Sequence, residues 1–134
     1  MDLKLEAIVL PVTDVDRAKA FYEQAGFNLD VDHQASDEFR VVQFTPPGSA
    51  CSIVFGKGLS SVTPGSAQGL HLVVTDVEAT RADLVERGVD VSEPYHFGPN
   101  GQEPGVDPQH ANYATYASFT DPDGNGWLLQ ERRD

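Results

Sequence analysis

The sequence predicts an α+β fold built from two tandem βαβββ units. The first observation behind this is an internal repeat. Residues 9–29, VLPVTDVDRAKAFYEQAGFNL, match residues 71–91, HLVVTDVEATRADLVERGVDV, at one constant offset. That offset carries Thr13–Asp14–Val15 onto Thr75–Asp76–Val77, Ala20 onto Ala82 and Gly26 onto Gly88. The second observation is the order of hydrophobic patterns within each copy, an apolar run followed by a helical stripe and then by short strand-like segments. The third is the placing of turn-rich clusters between those segments.

The elements follow in chain order. Leu5–Val12 and Leu70–Val74 are apolar runs suited to the opening strands. Each is followed by a helix start. Thr13 or Asp14 caps the first helix, and Thr75 with Glu78 three residues on reads as a capping box for the second. Val15, Ala18, Phe21, Tyr22 and Ala25 share one helical face; Val77, Leu84 and Val85 do so in the second copy. Gly26 and Gly88 stand where a glycine ends a helix in the left-handed conformation. Three further strands are expected in each unit. In the first they are Phe27–His33, Phe39–Phe44 and Cys51–Phe55, with Pro46–Ser49 as the turn between the last two. In the second they are Val89–Phe97, Ala114–Thr120 and Trp127–Glu131, with Asp121–Gly126 as the turn. Unit one thus covers about residues 3–58 and unit two about residues 68–132 of a single domain. Thr45 and Thr120 precede corresponding turns, and their spacing exceeds that of the helices, so unit two carries about 13 more residues. These lie in Phe97–Tyr113, a segment rich in Gly and Pro that reads as a loop.

The composition excludes several function classes. The formal charge is −12, and apolar residues make up 40 % of the chain. Phosphate binding requires Lys and Arg, so a nucleic-acid partner is not expected, nor is attachment to an anionic membrane. Such an acidic surface draws cations and helps solubility. Cys51 stands alone, which suits a reducing cytoplasm and argues against a disulfide or a cysteine nucleophile. No segment is long and apolar enough for a signal peptide or a membrane span. There is no Walker motif around Gly56–Lys57–Gly58, no G-x-S-x-G elbow and no C-x-x-C.

The paired units, with PVTDVDRAKAFYEQAGF in the first and TDVEATRADLVERGV then DPDGNGWLLQE in the second, resemble the vicinal oxygen chelate superfamily. This is the group of glyoxalase I, bleomycin resistance proteins, fosfomycin resistance proteins and extradiol dioxygenases. The resemblance implies a curled mixed sheet forming a cup around one ligand site, and a homodimer. In the family's enzymes the cup holds a metal on four His or Glu ligands. The resemblance maps those positions here onto Ala7, Gly69, Leu128 and either Ser52 or Ile53. None is a side chain that binds a divalent metal well. No metal and no other cofactor is therefore expected.

Other residues are candidates for the site. His71 lies two residues beyond Gly69, so strand alternation points it into the cup, as a ligand contact or a general base. Gln130 shares the parity of Leu128 and faces inward, while Glu131 faces the other way. Arg40, Gln43 and Ser52 lie on the strands of unit one and are ligand contacts if their registers turn them inward. Tyr95, Phe97, Tyr113, Tyr116 and Phe119 gather near the long segment, and Tyr116 is taken as a ring contact for a planar or cationic ligand. Trp127 is expected under a helix. His96 and His110 could join His71 in a relocated metal site, although no tight ligand spacing supports one.

The resemblance and the missing ligands lead to an expected function of metal-independent small-molecule binding, as in the bleomycin resistance branch, with a cationic drug or metabolite favoured by the charge. Whether the protein is an enzyme stays open. The alternative is an isomerase, lyase or dioxygenase-like enzyme using His71 or a relocated metal.

Overall fold

The computed structural model describes all residues from Met1 to Asp134. Two compact units emerge, one of Met1–Ala67 with Asp121–Asn125 and one of Gln68–Thr120 with Gly126–Asp134. No helix is long and apolar enough to cross a membrane.

The first unit runs β1 (Ala7–Val9), α1 (Val15–Gln24), β2 (Asn28–Ser36), β3 (Phe39–Thr45) and β4 (Ser52–Lys57). Its sheet has the order β1-β4-β3-β2 and is mixed, with β1 parallel to β4 and the other pairs antiparallel. Asp14 caps α1, accepting from the amide of Arg17. The helix closes in a Schellman motif, with Phe27 N–H donating to Tyr22 C=O across Gly26 at φ +92°. Alternation along β3 and β4 sends Val42, Phe44, Ile53 and Phe55 to the helix side, where they enclose Ala18 and Tyr22. Tyr22 has its ring 5.7 Å from Phe55 and 6.1 Å from Phe44. The turn after β3 needs a residue at positive φ and finds Gly48.

The unit is completed by Asp121–Asn125, the D-P-D-G-N turn. Asp121 and Asn125 are buried, and their polar atoms are satisfied. The Asp121 carboxylate accepts from the Tyr22 hydroxyl at 2.8 Å, from Asn125 Nδ2 at 2.8 Å and from the amides of Asp123 and Asn125. Asn125 Nδ2 also donates to Pro11 C=O, and its Oδ1 accepts from Ala67 N–H. Asp123 Oδ1 accepts from the amide and hydroxyl of Thr13.

The second unit runs β5 (Leu70–Val74), α2 (Val77–Glu86), β6 (Tyr95–Gly98), β7 (Gly101–Pro104), β8 (Thr115–Thr120) and β9 (Gly126–Glu131). The sheet order is β5-β9-β8-β6-β7. Here β5 is parallel to β9, so both units build the same kind of mixed sheet, and the expected α+β fold is observed. Val77 and Leu84 of α2 are buried, as are Ala117, Phe119, Trp127 and Leu129 on the strands. Trp127 stacks on Phe119 at 6.0 Å and packs on the helix side, as its parity predicts.

Four local expectations are corrected. Asp76, not Thr75, caps α2 by accepting from Ala79 N–H, because the aspartate is the residue directly before the first helical position. Val85 lies off the buried face and is exposed. Residues 89–94 are not a strand: Val89 closes the Schellman motif of α2, and Pro94 cannot donate to a ladder. The segment after Phe97 is not all loop, since β6 and β7 form a hairpin around Pro99–Asn100, with Gly98 opposite Gly101. β6 takes the place that β2 holds in the first sheet, so β7 is the added strand that the first unit lacks.

Candidate functional site

The helix-free face of each sheet is set by alternation from its buried strands. In the second unit that face carries His71 and Val73 of β5, Leu128 and Gln130 of β9, Tyr116 and Ser118 of β8, and Tyr95 and Phe97 of β6. Registers bring them side by side: His71 opposite Leu128, Tyr116 opposite Gln130, Ser118 opposite Leu128, Tyr95 opposite Tyr116. Four residues singled out in the sequence, His71, Leu128, Gln130 and Tyr116, thus share one face.

The rings form a platform. Tyr95 and Tyr116 stack with centroids 5.7 Å apart and planes 15° from parallel. Phe97 stands edge-on to both, at 6.1 and 5.6 Å, and is 60 % exposed. Polar groups fix the rings. The Tyr95 hydroxyl bonds to Ser118 Oγ at 3.0 Å. Gln130 Nε2 donates to the Tyr116 hydroxyl at 3.2 Å and to Tyr113 C=O at 3.1 Å. Tyr113 holds a left-handed backbone, φ +66°, and its N–H donates to Glu131 C=O. Alternation therefore sorts the aromatic group that the sequence gathers. Tyr95, Phe97 and Tyr116 take the open face, and Phe119 goes under the helix.

His71 is exposed, and its Nδ1 lies 2.7 Å from Gly69 C=O. A carbonyl only accepts, so Nδ1 carries a proton and donates to it. Behind the face, Glu131 is buried to 1 % exposure. It accepts from Val77 N–H at the start of α2, from His110 Nδ1 and from Arg133 Nε, each at 3.1 Å. Burial pushes this carboxyl up, but the hydrogen bonds from Val77, His110 and Arg133 outweigh it and hold it below the ordinary glutamate value.

In the first unit the open face carries Ala7 and Val9 of β1, Ser52 and Val54 of β4, and Gln43 and Thr45 of β3. Ala7 pairs with Ser52, and Gln43 lies opposite Val54. Ser52 Oγ is 2.6 Å from Thr45 Oγ1, which also bonds to Asp30. Arg40 does not belong with them. It has the parity of buried Val42 and Phe44 and faces α1, bound to Asp32 at 2.9 Å and Asp16 at 2.8 Å. Hydrogen bonds from Arg40, then from Lys19, hold the Asp32 carboxyl far below the usual range.

The registers also settle the fourth family position. Val9 pairs with Val54 as its repeat counterpart His71 pairs with Leu128, so Leu128 corresponds to Val54 rather than to Ser52 or Ile53. The residues that would hold a metal are thus Ala7, Gly69, Val54 and Leu128, and they do not fit one. Nor does a relocated site assemble. His96 is buried against Glu103 and Gly105 C=O, His110 against Glu131, and no three His, Cys, Asp or Glu side chains converge anywhere. Ser118 was not singled out from sequence, although its parity with Tyr116 marks it.

Known proteins bear on this geometry. A 35 % identical structure, TnmS3, an antibiotic binding protein from Streptomyces sp. CB03234, aligns with a TM-score of 0.73 over 97 % of this chain and 96 % of its own. A member of the glyoxalase/bleomycin resistance protein/dioxygenase superfamily from Sphaerobacter thermophilus DSM 20745 is 27 % identical, with a TM-score of 0.73 and 98 % coverage of each chain. The uncharacterized protein YetH of Bacillus subtilis (strain 168) is 26 % identical over 96 % of this chain and 98 % of its own. The family model of the Glyoxalase/Bleomycin resistance protein/Dioxygenase superfamily matches residues 4–129. With the repeat visible in both sheets and the match running nearly end to end, the chain belongs to that superfamily.

Proposed function

We propose that the protein binds a planar organic small molecule, without a metal, on the helix-free face of its second unit. The observation that carries this is the Tyr95–Phe97–Tyr116 platform, whose rings are exposed at one edge and fixed by Gln130 and Ser118. Aromatic faces with a few placed polar groups suit a flat ligand. Leu128 supplies apolar contact beside them, and His71 a ring nitrogen. Ala7, Gln43 and Ser52 lie on the corresponding helix-free face of the first unit. The charge of −12 favours a cationic ligand. The antibiotic-binding activity of TnmS3 supports the same class. In this reading the protein is a cytoplasmic homodimer, from its lone cysteine and from the family resemblance.

The test is a fluorescence titration with 9-amino-6-chloro-2-methoxyacridine, a flat cation. Saturable binding is expected, weakened about tenfold by Tyr116→Ala, since a lost ring stack is worth about 1 kcal/mol or more. No saturable binding, or equal affinity in the variant, would overturn the platform reading.

A second reading, catalysis, has one observation in its favour: His71 presents an exposed imidazole on the open face, anchored through Nδ1 on Gly69 C=O. It predicts that the bound molecule is turned over and that His71→Gln abolishes turnover while leaving affinity within about twofold. Product formation unaffected by His71→Gln would remove His71 from that role.

A further inference from the structure

On the open face of the second unit the protein sets the direction of one hydrogen bond, and that direction selects among flat ligands. We infer that the Tyr116 hydroxyl is a donor kept for the ligand, so that the site takes flat molecules with a carbonyl acceptor on the ring, a ring ketone or a lactam; the inference rests on the binding reading above and adds polarity to it.

The direction is set at Tyr113. Its backbone is left-handed, and its N–H donates to Glu131 C=O at 2.7 Å, which fixes where its own carbonyl stands. That carbonyl has no proton to give. The end of the Gln130 amide that meets it at 3.1 Å is therefore the NH₂ end. The same nitrogen lies 3.2 Å from Tyr116 Oη and gives its second hydrogen there. An amide nitrogen accepts nothing, so the Tyr116 oxygen is the acceptor in this bond. A phenol has one proton. Gln130 does not take it, and no other atom of the chain does.

Tyr95 differs in this respect. Its hydroxyl and Ser118 Oγ, 3.0 Å apart, can each donate to the other, so that bond holds the ring without fixing a polarity. Tyr116 lies between Tyr95 and Gln130 in the strand registers, and it is one of the three platform rings. A molecule on the platform thus touches the residue that carries the proton. A carbonyl on that molecule takes the proton, whereas a ligand with no acceptor there leaves it to water. Gln130 is a positioning residue in this scheme. Its amide hydrogens are both spent within the protein, and through Tyr116 they decide which ligand groups are met.

Two cations that differ at one ring position provide the test. 2-(Aminomethyl)fluoren-9-one has a carbonyl where 2-(aminomethyl)fluorene has a methylene. Each is titrated as a competitor of 9-amino-6-chloro-2-methoxyacridine, which carries no carbonyl. Tyr116→Phe keeps the ring and removes the proton. It should weaken the ketone about fivefold and leave the hydrocarbon and the dye within about twofold of their wild-type affinities. The unchanged dye also reports that the variant is folded. Gln130→Glu puts a carboxylate where the donor was, and the carboxylate takes the Tyr116 proton. The ketone-to-hydrocarbon affinity ratio should then fall by about the same factor, since both cations feel the added charge alike. A ratio unchanged in either variant overturns the donor and leaves the platform standing. So does a ketone that fails to displace a dye that binds. If the dye itself does not bind, the platform reading and the donor fall together.

Discussion

Asp121→Ala is expected to cost about 3–5 kcal/mol of stability, among the largest losses any single side chain here can cause. The reason is the number of donors that meet this one carboxylate. Tyr22 Oη, Asn125 Nδ2 and two backbone amides converge on it, and Asp121 and Asn125 are themselves buried. Alanine would remove the acceptor these donors share, so the cost is the loss of several hydrogen bonds at one buried point rather than the net value of one bond. Tyr22→Phe removes a single donor and should cost about 1–2 kcal/mol. Urea unfolding of the two variants and the double variant measures both terms. A loss below about 1 kcal/mol in Asp121→Ala would show that the turn is not an anchor.

Glu131→Gln should cost about 2–3 kcal/mol at neutral pH and much less in acid. The wild-type carboxyl sits below its ordinary value of 4.5 in the folded protein. The unfolded chain thus takes up the proton first as pH falls. The stabilisation from Glu131 is complete above about pH 4.5 and is lost as pH drops through the lower folded value. Glutamine cannot titrate, so the difference between wild type and variant should narrow on acidification. Urea unfolding at pH 7 and at the lowest pH where both proteins fold tests this. A difference independent of pH would mean that the charge of Glu131 does not anchor α2 and residues 110–113.

Much of the fold can be read from residues alone because the signals are local. An aspartate before each helix, a glycine after it and alternation in the strands each act within a few residues, and the repeat doubles every signal. Parity also puts His71, Leu128 and Gln130 on one face before any coordinates exist. The misreadings within the sheets have another cause: they depend on pairing partners distant in sequence. Arg40 is ambiguous until β3 is registered against β4, and Val54 replaces Ser52 only once β1 is aligned in parallel beside β4. The β6–β7 hairpin hides in a segment whose Gly and Pro content mimics a loop; its Pro99–Asn100–Gly101 turn was the available clue. The aromatic platform needs that hairpin in place before Phe97 can meet Tyr116.

The D-P-D-G-N turn has a consequence for the order of events during synthesis. The first unit spans Met1–Ala67, yet its buried Tyr22 hydroxyl, the Pro11 carbonyl and the Ala67 amide find their partners at Asp121 and Asn125. On the ribosome, at about 5–20 residues per second, the amino-terminal half waits several seconds for those partners to be made. It then closes contacts with residues made only after most of the second unit, which raises the sequence separation of its contacts and slows its folding. A nascent chain stalled before Asp121 therefore holds a first unit without its closing turn and without the hydrogen bonds that turn makes to Tyr22, Pro11 and Ala67, and it is more exposed to aggregation and proteolysis than the finished unit.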